Sequence, residues 1–185
     1  ILTWLGIRAG SRPARLAAFA LFVVALVRLA AFDAVAALAG FVPVANLRFF
    51  AFAAAAAAMF VAARLLAVEN PGKTEEDAAI STILVVLGVF TLFFLASREA
   101  VDGVRASAYA RTGAPGSSFL ERSVLTLAWT GYAGVLFIIG MAARLRTIRR
   151  CTLALFGLTL AKVLLADLFF VHTVYRVVVF LALGG

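Results

Sequence analysis

Long apolar stretches separated by short polar segments are the feature that most constrains how this chain folds. Six of them reach or approach the roughly 20 residues that a helix needs to cross a hydrocarbon layer of about 30 Å. These stretches lie at 13–31, 47–68, 78–96, 123–143, 151–170 and from 173 onward. A hydrophobic fraction of 65% is more than a soluble chain of 185 residues can bury. The sequence therefore predicts an all-α, polytopic transmembrane bundle of about six helices.

Local signals support two of these helices. Thr74 and Asp77 have the spacing of a capping box at the start of the third helix. The acidic run 75–77 also suits the positive end of the helix dipole, and we favour that interpretation over a metal site. In the second helix, the alanine run 53–58 predicts a close approach to a neighbouring helix, as small residues allow in membranes.

The basic residues predict how the chain is oriented. Segments 8–15 and 144–150 are rich in arginine and contain no acidic residue, so the positive-inside rule places both in the cytoplasm. An even number of predicted helices lies between them, so the two assignments agree and both termini are predicted to be cytoplasmic. Residues 99–110 could form a short interfacial helix outside. The segments predicted to face outward are 32–46, 97–122 and 171–173.

Composition also limits the partners. The net charge of +8 comes without a basic run interleaved with aromatic residues, so nucleic-acid binding is not predicted. The single cysteine, Cys151, excludes an internal disulfide and a cysteine-based zinc site. No nucleophile elbow, phosphate loop or dinucleotide fingerprint occurs, so we predict no metal, no cofactor and no catalytic residue. The lipid bilayer is the expected partner.

The two ends of the sequence suggest a piece of a longer protein. The chain starts at Ile1 rather than methionine, and it stops at Gly185 inside an apolar run. We therefore expect residues 1–185 to form a single transmembrane domain, with the remainder of a longer chain or other membrane subunits as further partners.

A charged pattern recurs in the first and fifth predicted helices. Arg28 and Asp33 match Lys162 and Asp167 at one constant offset in the sequence. The openings of the second and sixth helices, around Arg48 and Arg176, continue the match. This pattern predicts a parallel internal repeat of a helix hairpin, with units at about 13–68 and 149–185, as many transport proteins contain.

Most of the charge outside the loops is predicted to converge near the outer interface. At about 1.5 Å per residue, Asp33 and Asp167 lie roughly 24–30 Å from the cytoplasmic ends of their helices. A charge near the centre of the bilayer costs about 2.5–3.5 kcal/mol, so Arg28 and Lys162 need a partner or a route to the interface. A spacing of five residues turns Lys162 about 140° away from Asp167, so we expect Asp33 to pair with Arg48 and Asp167 with Arg176. The predicted polar cluster, which would either bind a substrate or hold helices together, consists of Arg28, Asp33, Asn46, Arg48, Glu99, Lys162, Asp167, His172, Tyr175 and Arg176.

Several short motifs resemble a known family. They are Trp129–x–x–Tyr132, Gly140, Lys162–x4–Asp167, Tyr175–Arg176 and Asn46–Leu47–Arg48–Phe49. Together they are similar to the closing region of the bacterial membrane proteins grouped as domain of unknown function 2339. The resemblance implies a C-terminal portion of a long multi-pass protein of the bacterial cytoplasmic (inner) membrane. It supplies no catalytic residues.

Three functions remain open from the sequence. The polar cluster could serve the transport or handling of a solute or of a lipid-linked or sugar substrate of the envelope. Alternatively, the chain could be a structural or accessory subunit of a membrane complex, with intramembrane charges that only lock helices together. A membrane-embedded transferase or hydrolase would have to use His172 or Glu99, and no catalytic motif supports one.

Overall fold

The computed structural model describes residues 6, 11–32, 41–68, 74–112, 118–144 and 146–167. These residues contain five α-helices and no β-strand, which confirms the all-α class for the part of the chain described. A five-residue π-helix, Val163–Asp167, continues the last of them. The helices are α1 (Arg12–Phe32), α2 (Leu47–Val68), α3 (Glu75–Thr112), α4 (Ser118–Ala142) and α5 (Arg146–Lys162).

Three of these helices are long and apolar enough to cross a membrane. They are α2, α3 and the part of α4 from Leu120 to Ala142. The helical membrane character is therefore confirmed, although the described residues supply three such spans rather than six. The segment from 173 onward, predicted as a sixth helix, lies outside the described residues.

Helix α3 runs antiparallel to both of its neighbours, α2 and α4. The Ser81 hydroxyl, early in α3, donates to the carbonyl of Ala63 late in α2 at 2.8 Å. The Trp129 indole of α4 donates to the Ser97 hydroxyl of α3 at 2.9 Å. The C-terminal part of one helix therefore lies beside the N-terminal part of the next, which is the arrangement that short connections between neighbouring helices favour.

Helices α1 and α5 run in the same direction as α3. Arg15, near the start of α1, contacts Asp77 near the start of α3. Lys162, at the end of α5, donates to the carbonyl of Arg122 near the start of α4 at 3.1 Å. The bundle thus has two ends. We call the one with Asp77 and the α4–α5 turn the Asp77 end, and the opposite one the Glu99 end.

Two apolar clusters meet on α3, which makes α3 the central helix. One lies between α2 and α3, with Phe19, Phe22 and Leu26 of α1 against it. The other joins α3 to α4 and α5. The buried members of the first are Met59, Ala62, Ala63, Leu66, Ile80 and Leu84, and those of the second are Val89, Ala133, Leu136, Ile148, Cys151 and Leu155.

The capping box predicted at the start of α3 is confirmed. The Asp77 amide donates to the Thr74 hydroxyl at 3.2 Å, and the Thr74 amide donates back to Asp77 Oδ2 at 3.2 Å. Two amides that the first turn of a helix leaves without an intrahelical partner are thereby satisfied.

The predicted end of the third helix at 96 is wrong. Helix α3 continues to Thr112, so the interfacial helix predicted over 99–110 is the last part of α3. The fall in hydropathy after 96 therefore does not stop the helix. Side-chain pairs such as Arg98 with Asp102, four residues apart, support the polar continuation.

The predicted bounds of the fourth and fifth helices also shift. Helix α4 begins at Ser118 rather than 123, and α5 begins at Arg146 rather than 151. Polar first turns were missed because the apolar stretches alone defined the predicted bounds. The predicted α-helix over 151–170 gives way to the π-helix after Lys162.

Gly88 marks a close approach between α2 and α3. A Cβ built on Gly88 would lie 2.9 Å from ring atoms of Phe60, whereas one on Gly134 of α4 would meet nothing within 4 Å. We expect Gly88→Leu to lower the free energy of unfolding by about 1–3 kcal/mol through overpacking. Gly134→Leu is the matched control and should lower it by less than about 0.5 kcal/mol, because a side chain at that position enters open space. Denaturant unfolding in mild detergent measures both, and equal effects would contradict the close approach.

Candidate functional site

Asn46 fixes the start of α2 and so positions Arg48. The Asn46 side-chain oxygen accepts the amide proton of Phe49 at 2.8 Å, three residues on, which is the geometry of an N-cap. Arg48 therefore lies in the first turn of α2, next to α3 at the Glu99 end.

Arg48 bridges two carboxylates of α3. Its Nη2 lies 2.7 Å from Glu99 Oε1, and its Nη1 lies 2.6 Å from Asp102 Oδ2. The acids are three residues apart on α3, so they share one face of that helix. The side chains are only 7%, 9% and 4% exposed for Arg48, Glu99 and Asp102. This is a buried, charge-assisted network rather than a surface ion pair.

Glu99 also ties down the segment that precedes α2. Asn46 Nδ2 donates to both carboxylate oxygens of Glu99 at 3.0 Å, and the Val44 amide donates to Oε2 at 2.9 Å. Val44 has a φ of 67°, a left-handed conformation that a β-branched residue adopts only under constraint. The Phe41 ring centroid lies 5.5 Å from Arg48 Cζ, within cation–π range. Segment 41–46 is thus held against α3.

The charges at this position balance. Arg98 Nη2 lies 3.7 Å from Asp102 Oδ2, so two arginines face two carboxylates. We call Asn46, Arg48, Arg98, Glu99 and Asp102 the Arg48 cluster. A group of buried charges that is paired and hydrogen-bonded can remain ionised at low cost.

The structure brings together Asn46, Arg48 and Glu99 from the predicted polar cluster, and it places two other members elsewhere. Arg28 lies on the exposed surface of α1. Lys162 hydrogen-bonds to α4 through the Arg122 carbonyl and the Thr126 hydroxyl.

The remaining predicted members lie outside the described residues. They are Asp33, the side chain of Asp167, His172, Tyr175 and Arg176. The structure therefore does not test the predicted pairs Asp33–Arg48 and Asp167–Arg176, which stay predictions. The carboxylate partners that the structure gives Arg48 are Glu99 and Asp102.

Sequence reasoning missed Asp102. Glu99 and Asp102 have the three-residue spacing that places two acids on one helix face, and both lie in the interfacial helix predicted over 99–110. Asp102 was missed because that interfacial helix was predicted as a separate outer element, and not as the continuation of the helix that packs against α2.

Two further sets of ion pairs join helices. At the Asp77 end, Arg15 Nε lies 2.9 Å from Asp77 Oδ1, which is buried, and Arg12 pairs with Glu76 at 2.8 Å. At the Glu99 end, Arg105 forms two hydrogen bonds to the Glu121 carboxylate, at 2.8 and 3.0 Å, and so ties α3 to α4.

The chemistry available to the Arg48 cluster follows from its charge balance and burial. Within the described ranges, no group of three or more His, Cys, Asp or Glu residues could hold a metal ion. Both oxygens of Glu99 accept hydrogen bonds from the chain itself. The arrangement is therefore suited to holding the start of α2 and segment 41–46 against α3.

The fold and the site define a helical membrane protein with buried interhelical charges. The chain belongs to the family of predicted membrane proteins called domain of unknown function 2339, whose model matches residues 4–185. This confirms the resemblance found in the sequence motifs. No curated protein and no solved structure matches the chain.

Proposed function

We propose that this chain is a structural module of a larger membrane assembly, and that the Arg48 cluster locks its helices together at the Glu99 end. The observation that carries the proposal is the burial of Arg48 between Glu99 and Asp102, at 2.7 and 2.6 Å. Paired buried charges specify one register of neighbouring helices, because any other register leaves a charge unpaired. The module would hold α2 and α3 in fixed alignment.

The proposed topology has six transmembrane helices in the bacterial inner membrane, with both termini in the cytoplasm. Arg12 and Arg15 start α1, and Arg146, Arg149 and Arg150 start α5, both at the Asp77 end. Two arginine-rich segments at one end support a cytoplasmic assignment of that end. The parallel direction of α1 and α5 also supports the proposed duplicated hairpin, with units at about 13–68 and 149–185.

Cysteine labelling tests this topology. Cys151 is buried, so we expect the native cysteine to be labelled little compared with an introduced, exposed cysteine. We expect Thr112→Cys, at the exposed end of α3, to react in intact cells with a membrane-impermeant maleimide. Glu75→Cys, exposed at the opposite end, is the matched control and should react only after permeabilisation. The reverse pattern would contradict the proposed orientation.

The surface of α1 supports contact with the remainder of a longer chain or with other membrane subunits. Leu21, Val24 and Arg28 are exposed and recur at helical spacing on one face. An arginine on such a face is costly towards lipid, at about 2.5–3.5 kcal/mol in the centre of a bilayer, and less near an interface. A protein surface that offers an acceptor for Arg28 would remove this cost.

A second proposed function is the handling of a solute, or of a lipid-linked or sugar substrate of the envelope, at the same end. Its support is the presence of two separate groups of polar side chains at this end, which together involve four helices. In the first group, Asn46 and Arg48 at the start of α2 contact Glu99 of α3. In the second, Lys162 of α5 donates a hydrogen bond to Thr126 of α4. Polar groups inside a membrane protein often mark a substrate path.

One variant separates the two functions. Arg48→Met, Glu99→Leu and Asp102→Leu together replace the buried charges with apolar side chains of similar size, a change that is often neutral or stabilising. The readout is growth under envelope stress of a deletion strain that expresses the full-length protein or this variant. A structural lock predicts full complementation at normal membrane levels. Loss of complementation with normal levels and normal unfolding would contradict the lock and favour substrate handling.

A further inference from the structure

An open basic cavity lies at the start of α5, at the opposite end of the bundle from the Arg48 cluster. It has a volume of about 300 Å³ and is lined by Arg146, Arg149, Arg150 and Leu153. Three arginine side chains and one leucine thus line this cavity, and the apolar stems of the arginines form most of its wall. The proposed lock makes no use of these residues.

The arginines of this cavity occupy an electrostatically unfavourable position. The first turn of α5 contains no acidic residue, although the positive end of a helix dipole favours acids. Arg12, Arg15 and Arg105 all pair with carboxylates, whereas within the described residues Arg146, Arg149 and Arg150 form no ion pair. An anion supplied from outside the chain would relieve both the repulsion among the arginines and their conflict with the dipole.

The turn before α5 holds Arg149 against α4. A Cβ built on Gly140 of α4 would lie 3.1 Å from Arg149 Cγ, so glycine permits this close contact. Arg144, within the turn, has a φ of 53°, a left-handed conformation that glycine adopts more readily. The stem of Arg149 is therefore fixed by packing, which reduces the entropy lost when its guanidinium binds an anion.

The same face of α5 continues as an apolar strip. Leu153 is 67% exposed, and Leu160 is also exposed, at a spacing of two helical turns that keeps both side chains on one helix face. The arginines suit the anionic headgroup of a phospholipid, and the apolar strip that follows them suits its acyl chain. A free phosphate would make no favourable contact with the apolar strip. The positive-inside rule accounts for arginines on the cytoplasmic side, but it requires neither an apolar strip nor a cavity beside them.

We propose that the arginines around this cavity bind the headgroup phosphate of an anionic phospholipid, with an acyl chain along the apolar arginine stems, Leu153 and Leu160. Arg149 and Arg150 make the charge-assisted hydrogen bonds to the phosphate oxygens, for which the planar guanidinium is well suited. Bound lipid would cover the exposed face of α5 and stabilise its contact with α4.

Lipid titration of the purified chain in detergent tests the proposal, with thermal unfolding as readout. Dioleoyl phosphatidylglycerol is the probe, and dioleoyl phosphatidylcholine is the neutral comparison. We expect phosphatidylglycerol to raise the unfolding temperature and phosphatidylcholine to have much less effect. Each neutralised arginine should weaken the apparent affinity for phosphatidylglycerol about fivefold, so Arg149→Gln with Arg150→Gln should weaken it about 25-fold. Arg111→Gln, at the exposed end of α3, is the matched control and should leave the affinity unchanged.

Two further arms identify the source of the phosphate. Leu153→Gln keeps the arginines and should still weaken phosphatidylglycerol binding, because it interrupts the apolar strip. Inorganic phosphate at the same concentration should neither stabilise the protein nor compete with the lipid. Equal affinity of the unsubstituted chain and the double arginine variant would overturn the site. Full competition by inorganic phosphate, or no effect of Leu153→Gln, would overturn the assignment to a lipid.

Discussion

Replacing Arg48 by methionine is expected to lower the free energy of unfolding by about 3–5 kcal/mol, since it leaves two buried carboxylates without their shared cation. Glu99 and Asp102 are 9% and 4% exposed, so water compensates little. Methionine keeps much of the volume and apolar contact of the arginine stem, so the loss reports on the charge. Denaturant titration in mild detergent, followed by tryptophan fluorescence, measures the effect.

The Arg105–Glu121 pair provides the matched control. It lies at the same end of the bundle and joins the same central helix to a neighbour, but its arginine side chain is 38% exposed. We expect Arg105→Gln to lower the free energy of unfolding by less than about 1 kcal/mol. If both substitutions had the same small effect, burial of the Arg48 cluster would not contribute to stability.

Asp77→Ala is the second substitution with a large expected effect, about 2–4 kcal/mol. The side chain of Asp77 is 2% exposed, closes the capping box with Thr74, and pairs with Arg15 of α1. Its removal therefore frees the first turn of α3 and detaches the start of α1. The same unfolding measurement in detergent quantifies the loss.

Glu75→Gln is the control for Asp77. Glu75 lies in the same first turn but is exposed, so only its favourable interaction with the helix dipole is lost. That loss should be about 0.3–1 kcal/mol and should shrink at high salt. An Asp77→Ala effect as small as that of Glu75→Gln would show that the contact between α1 and α3 is energetically minor.

The sequence predicted those parts of the fold that depend on local patterns. The bounds of α2, at Leu47 and Val68, are confirmed, because the apolar stretch that predicted them coincides with the helix that begins after the Asn46 N-cap. The capping box of Thr74 and Asp77 is confirmed for the same reason, since its signal is contained within four residues. The end of α3 was wrong because hydropathy reports the surroundings of a helix and not its length.

The candidate site was predicted only in part, for a related reason. Asn46, Arg48 and Glu99 were placed together because each was expected near one interface. The partners of Arg48 could not be identified from spacing, since Glu99 and Asp102 lie on another helix some fifty residues away in the sequence. Local spacing favoured Asp33, the nearest acid on the preceding helix, and that residue lies outside the described ranges.

We propose that Arg48 and its two carboxylates act as one energetic unit. A mutant cycle in detergent tests it most directly, with Arg48→Met, the pair Glu99→Leu with Asp102→Leu, and all three substitutions combined. We expect each half of the cycle to be strongly destabilising and the combined variant to recover stability, with a coupling of at least about 2 kcal/mol. Additive losses, with the combined variant the least stable, would contradict the lock.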